Sequence, residues 1–314
     1  MTYEMFKVIL ERDIKEILPE ENRENVRIIR EQKNNVQYDG IICTMEYQDE
    51  FEISPVIPIS DLYRLYNDGM DYGEIIRNVA AVFQNPEYRQ INVREIMEKA
   101  KNPENLRLCL INTELNKEML KRAANIPFKD LSIVFRSRID DEKSTILGKG
   151  LLKEMGMTAE ELYEKVKEIS AGTYTITPLW QTALDKMRND MDMPEAFVTE
   201  IEKELEKEPV YIITNQNGKD GAIAMTDTDI LDKAAAMLKT DRLSVIPSSV
   251  HDIIVMPAEM IDKKYLLDMV KQINRESIIL EERLSDNIYG YDSRTKELEM
   301  YQQPEKIIQR DRNR

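Results

Sequence analysis

Leu243-Ser244-Val245-Ile246-Pro247-Ser248-Ser249-Val250-His251-Asp252-Ile253-Ile254-Val255-Met256 sets two apolar runs on either side of a polar turn. Each run is short and rich in β-branched residues, so the pair reads as two strands. Helical spacing then takes over. Leu266, Met269, Val270 and Ile273 fall at i, i+3, i+4 and i+7, one stripe of an amphipathic helix. The unit is strand, turn, strand, helix. Antiparallel hairpins alternating with helices argue for an α+β fold, not a doubly wound parallel sheet. The expected architecture is a mixed sheet packed by helices and built from ββα-like units.

The same order recurs outward from this stretch. Val210-Tyr211-Ile212-Ile213 reads as a strand and Asn215 to Gly221 as a turn. Gly221-Ala222-Ile223-Ala224-Met225 reads as the returning strand, and Thr226 and Asp229 cap a helix carrying Ile230, Ala234 and Met237. Near the N-terminus a helix ends at Leu18, and Val26–Arg30 and Gly40–Met45 flank an Asn-rich turn as a hairpin. Helical stripes follow at Ile59/Leu62/Tyr63/Tyr66, Ile76/Val79/Ala80/Phe83 and Val93/Ile96/Met97/Ala100. Leu106, Leu108 and Leu110 alternate as a strand, Leu115, Met119 and Ala123 continue as a helix, and Leu131, Ile133 and Phe135 form a strand closed by Asp140-Asp141-Glu142. Thr158 with Glu161 three positions on matches a capping box. Ile288–Tyr291 and Leu298–Met300 read as a terminal hairpin. The copies share no residue-level identity, so the recurrence is one of architecture alone.

Residues 172–208 differ in texture. Thr173, Thr175, Thr177 and Pro178 read as a loop, and Glu200 to Glu208 is nearly all Glu and Lys, a solvated helix face. The expected organisation is therefore an N-terminal α+β region over 1–102, a hairpin plus three short helices. A main α+β region over 103–301 carries the charged helical excursion at about 172–208, and 302–314 form a tail.

Apolar residues make up 42% of the 314 and charged residues 33%, enough for one large core or two small ones. The net charge of −15, from 59 acids against 44 bases, repels nucleic-acid backbones and anionic lipid, so nucleic acid is not the expected partner. The one basic stretch, Lys306, Arg310, Arg312 and Arg314, is diluted by Glu305 and Asp311 and reads as a solvated tail. No apolar run reaches the roughly 18 residues a membrane helix needs, so no membrane association is expected. Met1–Lys7 lacks the pattern of a secretory signal. Cys43 and Cys109 each sit in an apolar strand-like run, the setting of an inert buried thiol. The expected location is the cytoplasm.

Catalytic patterns are few. His251 is the only histidine; with Ser249 and Asp252 it could supply a nucleophile, base and orienting acid. No glycine-flanked elbow surrounds the serines, and a polar turn explains them better. One histidine and two isolated cysteines exclude the common zinc sites. Asp140-Asp141-Glu142 and Asp227 with Asp229 fit turns and helix caps as well as they fit a magnesium site. Glu31-Gln32-Lys33 matches the Glu-x-Lys end of a metal-dependent nuclease motif, but no strand-borne aspartate precedes it. Gly148-Lys149-Gly150 lacks the spacing and the Ser/Thr of a phosphate loop. Tyr63, Tyr66 and Tyr72 cluster near Gly69, and Tyr63 and Tyr66 fit a core stripe, while Tyr174 and Trp180, in the irregular excursion, are better contact candidates.

The run Ile53-Ser54-Pro55-Val56-Ile57-Pro58, followed by Asp61-Leu62-Tyr63-Arg64-Leu65-Tyr66-Asn67-Asp68-Gly69, resembles a bacterial family known as domain of unknown function 5688. Leu110 through Leu120, Asp130–Arg136, and Leu243 to Pro257 with Ser248, Ser249 and His251 are similar to it too, so the resemblance covers nearly the whole chain. A weaker echo, reaching through the Val210 to Pro257 region, resembles an uncharacterised family related to the DUF1444 proteins. The resemblance implies a bacterial cytosolic protein and brings no activity, cofactor or catalytic residue with it. The expectation is thus a non-enzymatic binding or protein-interaction protein with a protein partner, no cofactor, and no residue assigned to catalysis or metal binding. The alternative is a hydrolase or carboxylate/metal-dependent enzyme whose site is assembled from distant segments.

Overall fold

Thr2 starts the first helix: its hydroxyl accepts the Met5 backbone N–H at 3.3 Å, and α1 runs Tyr3–Ile17. Phe6, Leu10 and Ile14, four apart, form its buried stripe, and Leu18 caps it just ahead of Pro19. The computed structural model describes residues 1–44, 55–85, 93–138, 144–170, 172–189, 191, 193–204 and 208–301. The Asp140–Glu142 turn, Met45, Ile53, Ser54, the 205–207 part of the charged run and the basic tail lie outside these residues.

The chain divides into two units, Met1–Lys101 and Asn102–Arg314. In the first, β1 (Val26–Lys33) and β2 (Val36–Cys43) pair antiparallel around Asn35, whose φ of 63° suits the tight turn; β3 (Ile57–Pro58) extends the sheet beside β2. Helices α2 (Ile59–Asn67), α3 (Tyr72–Gln84) and α4 (Val93–Lys101) follow. The α1 stripe packs with Ile41 and Cys43 of β2, Ile59 and Leu62 of α2, and Ile75, Val79 and Phe83 of α3.

The second unit begins with a four-stranded sheet. β4 (Leu106–Asn112) lies along one side of β6 (Leu131–Arg138), while β5 (Asn125–Phe128) and β7 (Ser144–Ile146) share the other; α5 (Lys117–Arg122) precedes β5. Strand β5 escaped the sequence reading because it contains Pro127, which an end strand tolerates. Next come α6 (Lys149–Glu154) and α7 (Ala159–Ile169). The capping box at α7 is complete: Thr158 Oγ1 accepts from the Glu161 N–H, and Glu161 Oε2 accepts from the Thr158 N–H.

A six-stranded sheet completes the unit in the order β13-β12-β10-β11-β9-β8. Its strands are β8 (Tyr174–Pro178), β9 (Tyr211–Asn215), β10 (Arg242–Pro247), β11 (Asp252–Pro257), β12 (Tyr289–Asp292) and β13 (Glu297–Met300). Helices α8 (Leu179–Asn189) and α9 (Glu195–Glu204) join β8 to β9, α10 (Thr228–Leu238) precedes β10, and α11 (Lys263–Glu276) follows β11. Ile246 and Met256 on one face of β10–β11 pack against Leu266, Leu267 and Val270 of α11. Leu243, Val245, Ile253 and Val255 on the other face are fully buried. Burial on both faces explains the near-continuous apolar runs.

The α+β class is as expected, with the details changed. All described strand pairs are antiparallel, so the sheets are antiparallel and not mixed. Tyr174–Pro178 is a strand, not a loop; its threonines are β-branched and pair across to β9. Gly221–Thr226 is a 3-10 turn, not a returning strand, with Gly221 through Met225 buried on every side. The residue capping α10 is Asp227, which accepts from the Asp229 N–H, while the Thr226 hydroxyl donates to the Ile223 carbonyl.

Candidate functional site

The Ser249–Asp252 turn keeps its polar groups within the backbone network. The Ser249 hydroxyl accepts the His251 backbone N–H at 3.0 Å and donates toward Asp252 Oδ2 at 3.4 Å. The imidazole points elsewhere: Nδ1 accepts the Asp220 backbone N–H at 3.3 Å, and Nε2 lies 3.5 Å from Glu282 Oε1. Because a donor fills Nδ1, the neutral ring carries its proton on Nε2, toward Glu282. The ring is therefore committed to Asp220 and Glu282 and does not serve Ser249 as a base.

Asp220 continues the chain of contacts. It occupies the left-handed region at φ 56° and its side chain is buried, with Arg136 Nη1 donating to Oδ1 at 3.1 Å. Arg136 stands opposite Arg107 in register on β6 and β4. Cys109, two residues beyond Arg107, is wholly buried, and burial first, then the Asp220 charge, push its thiol far above the ordinary value. Such a thiol stays protonated and is a poor nucleophile.

The remaining sequence candidates take structural places. Lys149 Nζ donates to the Leu120 and Lys121 carbonyls at 3.1 and 3.0 Å, a cation at the C-terminal end of α5. Glu31 pairs across from Tyr38, and Lys33 lies 6.0 Å from that ring's centroid. Tyr63, Tyr66 and Tyr72 pack edge-on or tilted around Phe6 in the first unit's core, Tyr72 donating to Asp13 at 3.0 Å. Tyr174 is half-buried on β8, with burial as the first cause of its raised phenol. Trp180 lies on α8. Among the described residues no group of three or more His, Cys, Asp or Glu could hold a metal ion.

The site that geometry does offer came from residues the sequence reading passed over. A groove of about 920 Å³ runs along β12 and β13, beside the start of α11. Ser244 and Gly290, opposite each other in register on β10 and β12, lie on the face that α11 covers further along. Gly290 stands opposite Glu299 on β13. A Cβ at Gly290 would meet nothing within 4 Å, so the groove is open above it. Ser244 lines the groove and is only 3% exposed.

Charge lines the rim unevenly. Arg242 sits between Asp292 at 3.8 Å and Glu259 at 4.0 Å, and Lys263 lies over the Tyr301 ring at 5.4 Å. Glu297 and Glu299 are exposed and have no ion-pair partner among the described residues. Beneath the floor, Asp130 accepts from Ser285 at 2.6 Å, Asn287 at 3.0 Å and the Tyr289 phenol, tying β12 to the β5–β6 turn. The one local sign of the groove in the sequence is Gly290 inside the strand-like run Ile288–Tyr291, since a lone glycine in a strand often marks a close approach.

A family model described as a family of unknown function, DUF5688, matches residues 3–293, and the chain belongs to that family. No curated protein and no solved structure matches it.

Proposed function

We propose that this DUF5688 chain is a non-catalytic binding protein that receives a segment of a protein partner in the β12–β13 groove. The observation that carries this reading is an open groove with the nearly buried Ser244 on its floor, beside a glycine that leaves room above it. Ligand sites combine such a concavity with a few polar groups of fixed direction. An enzyme built on Ser249 and His251 draws no support from the geometry, because the imidazole faces Asp220 and Glu282. No described helix is long and apolar enough to cross a membrane, and Cys43 and Cys109 are buried free thiols. The free thiols favour a reducing compartment, the cytoplasm, as the setting.

An array of ten-residue peptides of varied sequence, probed with the wild-type chain and with Gly290→Leu, tests the reading. A Cβ there meets nothing within 4 Å, and the rest of a leucine side chain takes up groove space above it. The expected result is a set of peptides bound by the wild type and lost in the variant. Identical binding by both proteins would remove the groove from consideration.

A further inference from the structure

The shape and charge of the groove narrow its occupant, on the premise that the groove is the binding site. Its wall follows β12 from Tyr289 to Asp292, with Ile288 just before it, and Glu297, Glu299 and Met300 of β13, with Tyr301 just after it. Each of the two strands has four residues and spans roughly 13 Å, the length of a short extended segment. Glu297 and Glu299 lie on the groove's face two residues apart, so their Cα atoms are about 7 Å apart, the repeat of alternate side chains in an extended segment. Register places Ser244, Gly290 and Glu299 in one row across three strands, with the missing side chain in the middle. A cationic head group above Gly290 would thus reach a hydroxyl on one side and a carboxylate on the other. Of the three bases that line the groove, Arg242 sits between two acids and Lys263 lies over Tyr301, and together with Lys129 they are outnumbered by Glu259, Asp292, Glu297 and Glu299. A chain of net charge −15 also draws cationic partners from a distance.

We infer that the groove takes an extended basic segment of a protein partner. Lys or Arg at alternate positions faces Glu297 and Glu299, and one such head group seats over Gly290 against Ser244. The same strand from a second copy is excluded as occupant, since it would bring Glu297 and Glu299 against their own kind.

The test uses fluorescein-labelled ten-residue peptides and fluorescence anisotropy at about 0.15 M salt, where long-range attraction is largely screened. One peptide alternates Arg with Thr and the other alternates Glu with Thr. The expected result is that the Arg-Thr peptide binds, and binds at least tenfold more weakly to Glu297→Gln/Glu299→Gln and to Gly290→Leu. Glu160→Gln/Glu164→Gln, which removes the same charge from the exposed face of α7, should leave binding unchanged. Equal weakening by both double variants would reduce the effect to general attraction and overturn the inference. Binding of the Glu-Thr peptide alone, lost in Gly290→Leu, would overturn the inference and leave the groove as a binding site. Failure of the wild type to bind either peptide would overturn both. Should Gly290→Leu not fold, peptide-induced hydrogen-exchange protection of residues 288–301 in the wild type replaces it, and unchanged exchange there would count against the groove.

Discussion

Arg136 and Asp220 meet at 3.1 Å, yet their exposures are unequal: 23% of the arginine side chain reaches solvent against 3% of the aspartate. The pair therefore breaks asymmetrically. Asp220→Asn leaves a guanidinium that water can reach, and asparagine tolerates the left-handed backbone at φ 56°. Arg136→Met leaves a carboxylate buried without its counter-ion, which costs about 3–5 kcal/mol when water cannot enter. Urea unfolding should show Arg136→Met as the more destabilised by at least about 1 kcal/mol, at the scale of a charged hydrogen bond. Equal losses would mean that water reaches Asp220 in the fold.

Two glycines give a contrasting pair. A Cβ at Gly221 would lie 2.4 Å from the His251 carbonyl oxygen and 2.5 Å from the Asn215 nitrogen, both backbone atoms that cannot turn aside. At Gly290 the same atom would meet nothing within 4 Å. Gly221→Ala should lower stability by about 3 kcal/mol, the upper range for overpacking. Gly290→Ala should stay within about 1 kcal/mol of wild type, as expected for a site with room. Thermal melts of both variants check this, and a Gly221→Ala melt that matches wild type would show that the turn can shift.

What was legible followed from burial. The β10–β11–α11 unit could be read because both strand faces are covered while the helix shows one stripe, so the period changes at a visible point. The α7 cap could be read because Thr158 and Glu161 bond each other locally. Gly221 to Met225 could not: five small or apolar residues buried on every side have no period to betray a 3-10 turn. Tyr174–Pro178 looked like a loop because threonine and proline are common there, and only its pairing with β9 makes it a strand. The groove was hidden for a non-local reason. Strand β12 joins the sheet beside β10, skipping back over β11 and α11, so Ser244 and Glu299 share a row that no sequence spacing records.

Tyr289 holds the groove floor from beneath. Its ring is buried, and its phenol donates to Asp130, which also accepts from Ser285 and Asn287. Burial first, then the Asp130 charge, raise the phenol well above its ordinary value, so it remains a donor at any pH the fold survives. Tyr289→Phe removes one of the carboxylate's three donors and keeps the ring, and should cost about 1–2 kcal/mol. Hydrogen exchange at residues 288–292 should quicken in step. A stability loss with no change in exchange there would separate the hydroxyl from the floor.

Asp252 gives the pH signature. Burial raises its carboxyl above the usual aspartate value; the Ser248 and Ser249 hydroxyls and the charges of His251 and Lys186 oppose the rise without cancelling it. Its folded-state pKa is then above its unfolded one, so the native state binds the proton more tightly. Stability from this group is present below the unfolded value, near 3.9, and is lost as pH climbs through the raised folded value. Asp292 runs the other way: Arg294 holds it down to about 2, so its contribution is present above the usual aspartate value and fades as pH falls toward 2. Comparing wild type with Asp252→Asn at each pH cancels the Asp292 part, which both proteins share. The amide accepts hydrogen bonds from the same serines and never ionises, so Asp252→Asn should gain on wild type as pH rises from about 4 toward neutrality. A gap that stays constant over that range would mean that Asp252 ionises in the fold as readily as in the unfolded chain, and that the turn beneath β10 and β11 is open to water.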